Sequence, residues 1–317
     1  VLIEFMNILF AGSPHSAAKV LDCLSNESNI NIKAVITQPD KRGKRGSKLI
    51  ESAVANKARS LNIKTFKPEH LDNDNLKAEL SSIEVEFLIV VAYGKIIPSW
   101  LLNLPTVSPI NIHFSILPKY RGASPIQSAI LNGDTSTGIS IIKINNKLDS
   151  GDIYSVFEKN IEDDDDKISL ERKLTELCNI NLFNILDKIN SNELNASPQD
   201  HSKATYCNKV LKQESEINFN DGSTNIINKY RAYIEWPGIY FNYKNKVIKI
   251  HKIEKTNENS SDIPGTVHKI DKTGLYINTG DQVVVITYLQ FQNKNIISSN
   301  DLYNSYKEFF IKNKFIR

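Results

Sequence analysis

The chain has 317 residues, of which 40% are hydrophobic and 24% are charged, and it contains 13 glycines and 11 prolines. This composition excludes collagen-like, mucin-like and broadly disordered proteins, and the length predicts about two domains. The formal net charge of +3 is too small to indicate a binding partner by itself.

Short apolar runs alternate with helical patterns through the first half of the chain. Apolar runs at residues 6–11, 33–37, 87–91, 109–113 and 138–144 predict strands, and the patterns at 16–24, 50–61, 125–132 and 168–189 predict helices. Unalternated apolar strands are typical of parallel sheets that helices cover on both faces. We therefore predict a Rossmann-like α/β domain over residues 6–189, with a doubly wound, mostly parallel sheet.

The pattern changes after a polar segment at residues 190–208, which we interpret as a linker. Short β-branched runs at residues 239–243, 247–253, 275–277 and 283–289 predict strands with few helices between them, apart from one at 225–232. We predict a small antiparallel, OB-like β-barrel over residues 209–317. These residues include 16 basic and 11 acidic side chains, a net charge of +5, which fits either a polyanion partner or a solvated surface.

The cysteine pattern fits a reducing cytoplasm, and the hydropathy argues against a membrane span. Cys23, Cys178 and Cys207 are odd in number and form no C-x-x-C pair, which argues against a disulfide framework and a zinc site. The longest strongly apolar run, residues 87–93, is far shorter than the roughly 20 residues of a membrane span. We expect a cytoplasmic monomer, with residues 1–5 as an extension outside the fold.

Nucleotide-binding loops are not recognisable in the first domain. The turn after the first strand contains one glycine, Gly12, where a dinucleotide site needs three, and residues 43–48 do not follow the order of a P-loop. The segment at residues 41–48 is instead strongly basic, which fits either a solvated loop or a contact with a phosphate backbone. Its cations are Lys41, Arg42, Lys44, Arg45 and Lys48.

A group of polar residues near the end of the 109–113 strand is the best candidate for chemistry. Asn111 and His113 are two residues apart, so their side chains leave the same face of the strand. Asp149 lies in a glycine-containing turn after the next predicted strand and can approach the imidazole. An amide beside an imidazole can stabilise an oxyanion, and a carboxylate would fix the histidine tautomer. The acidic block at residues 163–166 is interpreted as a solvated loop, and no metal site is expected.

These residues belong to longer motifs that resemble the folate-dependent formyltransferase family. The motifs are N-x-H followed by S-x-L-P-x-[aromatic]-R-G-x-x-P-I at residues 111–126, L-D-x-G-D at 148–152, F-A-G-S-P at 10–14, Q-P-D at 38–40, V-A-Y-G at 91–94 and W-P at 236–237. Their order over nearly the whole chain is similar to that of the members that formylate methionyl-tRNA.

The resemblance implies roles for single residues. It implies a catalytic trio of Asn111, His113 and Asp149, and tRNA contacts from the basic segment, above all from Arg45. It also implies that 10-formyltetrahydrofolate, the formyl donor, binds against Ser115, Ile116, Leu117, Pro118, Tyr93 and Gly94. Phe114 and Ile116 depart from the residues usual in the family, Gly or Ala and Leu respectively.

The reaction that the resemblance implies is formyl transfer to the amino group of methionine on initiator tRNA, for translation initiation. Two alternatives remain. One is a formyltransferase that acts on a sugar-nucleotide or ribonucleotide amine, and the other is a tRNA-binding protein without catalysis.

Overall fold

The structure is a computed structural model that describes residues 5–43, 49–312 and 314–315. The chain forms two compact units. The first contains residues up to Pro125, Ser136–Asn160 and Glu171–Asn208, and the second contains Ile126–Thr135, Ile161–Leu170 and the residues from Lys209 onward. The second unit thus takes in two short segments from the part of the chain where the sequence predicts only the first domain.

The elements up to Cys207 include every strand and helix that the sequence predicts in this region, together with others that it does not predict. They are β1 (Met6–Gly12), α1 (His15–Ser25), β2 (Ile30–Ile36), β3 (Lys41–Arg42), β4 (Leu49–Ile50), α2 (Ala53–Ser60), β5 (Thr65–Phe66), α3 (Asp74–Ser81), β6 (Phe87–Val91), α4 (Ser99–Leu102), β7 (Ser108–His113), β8 (Arg121–Gly122), α5 (Pro125–Leu131), β9 (Ser136–Lys143), β10 (Ile153–Asn160), α6 (Lys167–Asn190) and β11 (Tyr206–Cys207).

The main sheet of the first unit has the strand order β10-β9-β7-β6-β1-β2-β5. The five strands from β7 to β5 run parallel, while β9 is antiparallel to both β7 and β10. Every residue of β6 is buried, and α1 contacts β1, β2 and β6. The prediction of a mostly parallel sheet with covered faces is therefore confirmed.

Gly12 shows how closely these layers approach at the end of β1. A Cβ atom at this position would lie 2.8 Å from the Cβ of Ala17 in α1 and 2.8 Å from the carbonyl oxygen of Val91 in β6. The single glycine of the first turn therefore makes room for strand–helix packing.

The second unit contains an antiparallel sheet with the order β12-β13-β16-β15-β14, and β17 pairs with β16. The elements are α7 (Ser223–Tyr233), β12 (Ile239–Tyr243), β13 (Lys246–Asn259), β14 (Val267–Asp271), β15 (Gly274–Asn278), β16 (Gln282–Phe291), β17 (Ile296–Ser298) and α8 (Ser299–Tyr306). An irregularity between Ile250 and Ile253 of β13 keeps both isoleucines buried although they are three residues apart. The predicted small antiparallel, barrel-like domain is confirmed.

The acidic block before α6 differs from its interpretation as a solvated loop. Asp165 is only 2% exposed, and its carboxylate accepts hydrogen bonds from the backbone of Glu162 and the hydroxyl of Ser169. Asp166 accepts from the backbone N–H groups of Ile168 and Ser169, both at 2.8 Å. The interpretation was wrong for these two residues, because the Asp165 carboxylate is buried in local hydrogen bonds and the Asp166 carboxylate satisfies N–H groups in the first turn of a long helix.

Residues 190–208, interpreted as a linker, belong to the first unit. Ser197 and Ile153 exchange two backbone hydrogen bonds, and β11 pairs in parallel with β8.

Among the helices that the structure describes, none is both long and apolar enough to cross a membrane.

Candidate active site

Asn111, His113 and Asp149 meet at one corner of the first unit. Asn111 and His113 lie in the carboxyl-terminal half of β7, and Asp149 lies in the turn between β9 and β10. Asn111 Nδ2 donates to Asp149 Oδ1 at 3.2 Å, and His113 Nδ1 lies 3.6 Å from Asp149 Oδ2. The imidazole and the carboxylate are 7% and 12% exposed, so this pair is largely shielded from water.

The turn that carries Asp149 is held in a tight conformation. Asp149 has a φ of +44°, in a region that Asp tolerates better than most residues. Gln199 Nε2 donates to the carbonyl oxygens of Asp149 and Gly151 at 2.9 and 2.7 Å. A Cβ at position 151 would lie 1.7 Å from the carbonyl oxygen of Lys143, so this position requires glycine.

The tautomer of His113 is determined by a backbone carbonyl and not, as the sequence predicted, by the Asp149 carboxylate. The ring Nε2 lies 2.8 Å from the carbonyl oxygen of Tyr120. Because a carbonyl oxygen only accepts, Nε2 carries the hydrogen, and the neutral ring presents a lone pair at Nδ1 toward Asp149. A second proton at Nδ1 would turn the contact with Asp149 into a favourable ion pair. The corner is therefore suited to hold a proton on the ring during a reaction.

The segment around β11 holds the Tyr120 peptide in place. Tyr120 has a φ of +58°, and its N–H donates to Thr205 Oγ1 at 2.8 Å. Arg121 N donates to the carbonyl oxygen of Thr205 at 2.8 Å, and Cys207 Sγ donates to the Tyr120 carbonyl oxygen at 3.3 Å. These contacts were not predictable from the sequence, because a polar segment between two domains carries no pattern that indicates them.

A buried arginine connects this segment to the Asp149 turn. Arg121 is 3% exposed, and its Nε and Nη2 donate to Gln199 Oε1 at 3.1 and 2.6 Å. Arg121 Nη2 also donates to His201 Nδ1 at 2.8 Å. Gly122 N donates to Asp149 Oδ2 at 2.9 Å, so the R-G dipeptide of the motif supports the Asp149 carboxylate directly through Gly122 and the Asp149 backbone indirectly through Arg121 and Gln199.

The predicted folate segment divides into enclosed and accessible side chains. Ser115 is fully buried, and its hydroxyl donates to the carbonyl oxygen of Lys119 at 2.6 Å. Leu117 is also buried, and its N–H donates to Ser140 Oγ at 3.0 Å. Ile116 and Pro118 are partly exposed, so their side chains can contact a ligand. Phe114, one of the departures from the family pattern, is buried beside them.

Tyr93 and Gly94 lie in the loop after β6. The Tyr93 ring is 1% exposed within the core, and no described residue provides a hydrogen-bond partner for its hydroxyl group. Burial raises the pKa of Tyr93 to about 12. Its carbonyl oxygen accepts from Gln38 Nε2 at 2.8 Å, and Gly94 follows with a φ of +80° on the exposed side of the loop.

Only part of the basic segment falls within the described residues. Lys41 and Arg42 form β3, which pairs in antiparallel with Leu49 and Ile50 of β4, and all four side chains are exposed. Lys44, Arg45 and Lys48 lie outside the described residues.

Among the residues that the structure describes, no group of three or more His, Cys, Asp or Glu side chains is arranged to hold a metal ion.

The chain is similar to two formyltransferases along nearly its whole length. The methionyl-tRNA formyltransferase of Sulfurihydrogenibium sp. is 40% identical over 304 residues, which cover 95% of this chain and 97% of that protein. The methionyl-tRNA formyltransferase of Caldicellulosiruptor saccharolyticus is 38% identical over 305 residues, with the same coverage.

A solved structure shows the same fold at lower identity. The sugar 3N-formyl transferase WlaRD, crystallised in the presence of dTDP and 5-N-formyl-THF, has a TM-score of 0.65 and 23% identity, covering 92% of this chain and 100% of that chain. A family model described as "Formyl transferase" matches residues 6–186, and one described as "Formyl transferase, C-terminal domain" matches residues 209–307. The chain therefore belongs to the formyl transferase family.

Proposed function

We propose that this chain transfers a formyl group from 10-formyltetrahydrofolate to the amino group of methionine esterified to initiator tRNA, for translation initiation. The single observation that carries the proposal is the contact of Asp149 with both Asn111 and His113 in a corner shielded from water. The 38–40% identity to two proteins named methionyl-tRNA formyltransferase, over 95% of the chain, supports this acceptor.

Asn111 supplies a hydrogen-bond donor for charge that develops on the formyl oxygen. Attack by the amine turns the formyl carbon tetrahedral and places negative charge on its oxygen. The Asn111 amide has two hydrogens, one of which is directed at Asp149 Oδ1. The other is available to the substrate. Removal of one such donor commonly lowers the rate by about 10² to 10³.

His113 and Asp149 handle the proton that the attacking amine loses. His113 Nδ1 faces Asp149 while Nε2 is held by Tyr120, so Nδ1 is the nitrogen that can exchange a proton. The carboxylate stabilises the charged ring until the proton reaches N10, the leaving nitrogen of the folate. His113 in its charged form would also favour the negative oxygen electrostatically. No covalent enzyme intermediate is required.

The residues proposed for the folate site fit the apolar faces of the folate's rings. Ile116 and Pro118 offer partly exposed apolar surface, while Ser115 and Leu117 fix the backbone between them through Ser140. Gly94 lets a ligand approach the backbone after Tyr93. The Tyr93 ring supports this loop from the core.

We assign contacts with tRNA to the basic segment and to residues 209–317. Lys41 and Arg42 are exposed cations, and the sequence adds Lys44, Arg45 and Lys48. The net charge of +5 over residues 209–317 would attract an RNA backbone. The proposal places the reaction in the cytoplasm, with the chain acting as a monomer and without a metal.

The fold alone does not separate tRNA from a sugar acceptor. WlaRD covers 92% of this chain, so the second unit is not by itself evidence for tRNA. The higher identity to the two relatives named for methionyl-tRNA favours the tRNA acceptor. A role without catalysis is disfavoured because the three polar side chains are all present and in contact.

The test is a product assay by mass spectrometry on the full chain with 10-formyltetrahydrofolate. The acceptors are charged initiator tRNA, uncharged initiator tRNA, a charged elongator tRNA and a dTDP-amino sugar. We expect formyl-methionine on the initiator tRNA and at least about 100-fold less product with the others, the discrimination that a site built around a specific acceptor achieves. Formylation of the sugar, with none of the tRNA, would contradict the proposal.

A further inference from the structure

Within the described residues, the short hairpin formed by β3 and β4 consists of two residue pairs, Lys41 with Ile50 and Arg42 with Leu49. Leu49 and Ile50 are each 59% exposed, so these two side chains bury little apolar surface. A two-stranded hairpin of this size is marginal in water. Its orientation must therefore come from the residues at its base.

Lys67 joins the two ends of that base. Its Nζ lies 2.8 Å from Asp40 Oδ1 and 2.9 Å from Glu51 Oε1. Asp40 immediately precedes β3, and Glu51 immediately follows β4. One ammonium group thus bridges the residue that enters the hairpin and the residue that leaves it.

The bridge is fixed to the edge of the main sheet. Lys67 directly follows β5, which pairs with β2 through Ile36 and Phe66. A second interaction joins the two chain segments that flank the hairpin, because the hydroxyl groups of Thr37 and Ser52 form a hydrogen bond at 2.7 Å. Ser52 also caps α2 by accepting from Ala55 N. The segments before β3 and after β4 are therefore anchored to β2 and α2, respectively.

The three charged side chains are partly shielded, which makes their attraction more effective than that of a surface pair. Lys67, Asp40 and Glu51 side chains are 28%, 25% and 26% exposed. Burial lowers the pKa of Lys67, but the hydrogen bonds and charges of Asp40 and Glu51 outweigh this effect and raise it. Arg59 adds an ion pair to Glu51 from α2.

We propose that Lys67 is a positioning residue that fixes the base of this hairpin and so presents Lys41 and Arg42 to the phosphate backbone of the tRNA acceptor. The inference rests on the proposed function. Cations that are already positioned lose less conformational entropy when they bind, so the tie strengthens binding without touching the substrate. Without Lys67, the Asp40 and Glu51 carboxylates would face each other and repel.

The experiment measures steady-state formylation of charged initiator tRNA by Lys67→Met, Lys67→Arg and the wild type. We expect Lys67→Met to raise KM for tRNA by about tenfold, with kcat and KM for the folate within about twofold of the wild type. The plot of log(kcat/KM) against log salt should become shallower by about 0.7 to 0.9 for each phosphate that the variant no longer neutralises. Lys67→Arg should restore KM, because the guanidinium keeps the charge and can reach both carboxylates.

Lys64→Met is the matched control. Lys64 lies three residues earlier and pairs with Glu79 at 2.8 Å, away from the hairpin. We expect its KM for tRNA to stay within about twofold of the wild type.

The other possible results would contradict either the positioning role of Lys67 or the proposed function. An unchanged KM in Lys67→Met, equal losses for tRNA and folate, or failure of Lys67→Arg to restore KM would overturn the positioning role. If the wild type itself leaves charged initiator tRNA unformylated, the proposed function is overturned and this inference with it. An active wild type beside a normal Lys67→Met variant overturns the inference alone.

Discussion

At the scale of single residues, the central feature is that His113 is held by a backbone carbonyl on one nitrogen and faces a carboxylate on the other. The carbonyl belongs to Tyr120, whose position depends on the Thr205 hydroxyl. The ring orientation thus depends on a residue more than ninety positions away in the sequence. Such a contact changes catalysis through geometry, without touching the substrate.

Thr205→Val should therefore lower kcat for formyl transfer by about tenfold, because the Tyr120 N–H loses its partner and the carbonyl shifts away from His113. The thermal midpoint should change little, since Thr205 is exposed. Thr106→Val is the control, because Thr106 is also exposed and its hydroxyl bonds a carbonyl far from the site, that of Val85. Equal kcat in both variants would show that this hydroxyl does not position the histidine.

The sequence predicted the trio but not what supports it. Asn111 and His113 share a strand face, and their convergence with Asp149 follows from the motif. Thr205, Gln199 and Arg121 could not be assigned because their contacts join distant segments. Side chains such as Gln199, which bonds two carbonyl groups of the Asp149 turn, have no local periodicity that reveals their role.

At the scale of elements, the long apolar strands were predictable and the short ones were not. β1, β6 and β7 are buried runs that their composition identifies. β5 has two residues and is formed by pairing with β2. β4 includes Ile50, the first residue of the helix predicted over residues 50–61, and the observed helix begins at Ala53. Pairing partners rather than local preference decide such elements.

Helix α7 provides a pH-dependent element in the second unit. Gly222 precedes the helix and has no side chain to cap it, while Asp281 accepts a hydrogen bond from Ser223 N at 2.7 Å. Desolvation alone would raise the pKa of Asp281. Hydrogen bonds from Ser223, Gln282 and Thr279 outweigh this effect and lower the pKa to about 2. The cap is therefore supplied from the turn between β15 and β16.

Because the folded-state pKa lies below the ordinary value, the stabilisation by Asp281 is present above about pH 4 and is lost as the pH falls through about 2. Asp281→Asn keeps a side-chain oxygen that can accept but removes the charge, so it should flatten the acid dependence and lower the free energy of unfolding at neutral pH by less than about 1 kcal/mol, the usual contribution of a whole helix cap. Thermal unfolding at several pH values measures both effects. Asp262→Asn, at an exposed aspartate bonded to the next residue's N–H, should behave like the wild type. An unaltered acid dependence in Asp281→Asn would contradict this assignment.

At the scale of the whole molecule, each unit accounts for a different part of the proposed reaction. The first unit contains the polar corner and the predicted folate segment, and the second contains residues 209–317, which have a net charge of +5. The order of the two domains was predictable from the change of periodicity near residue 209. The assignment of residues 126–135 and 161–170 to the second unit was not, because it depends on packing between segments far apart in the sequence.

The most direct measurement is the single-turnover rate of formyl transfer to charged initiator tRNA, with enzyme in excess and folate saturating. We expect Asn111→Ala and His113→Ala to lower that rate by about 10² to 10³ or more, with an unchanged circular dichroism spectrum and thermal midpoint. A rate within about threefold of the wild type in either folded variant would remove that side chain from the mechanism and contradict the account of this corner.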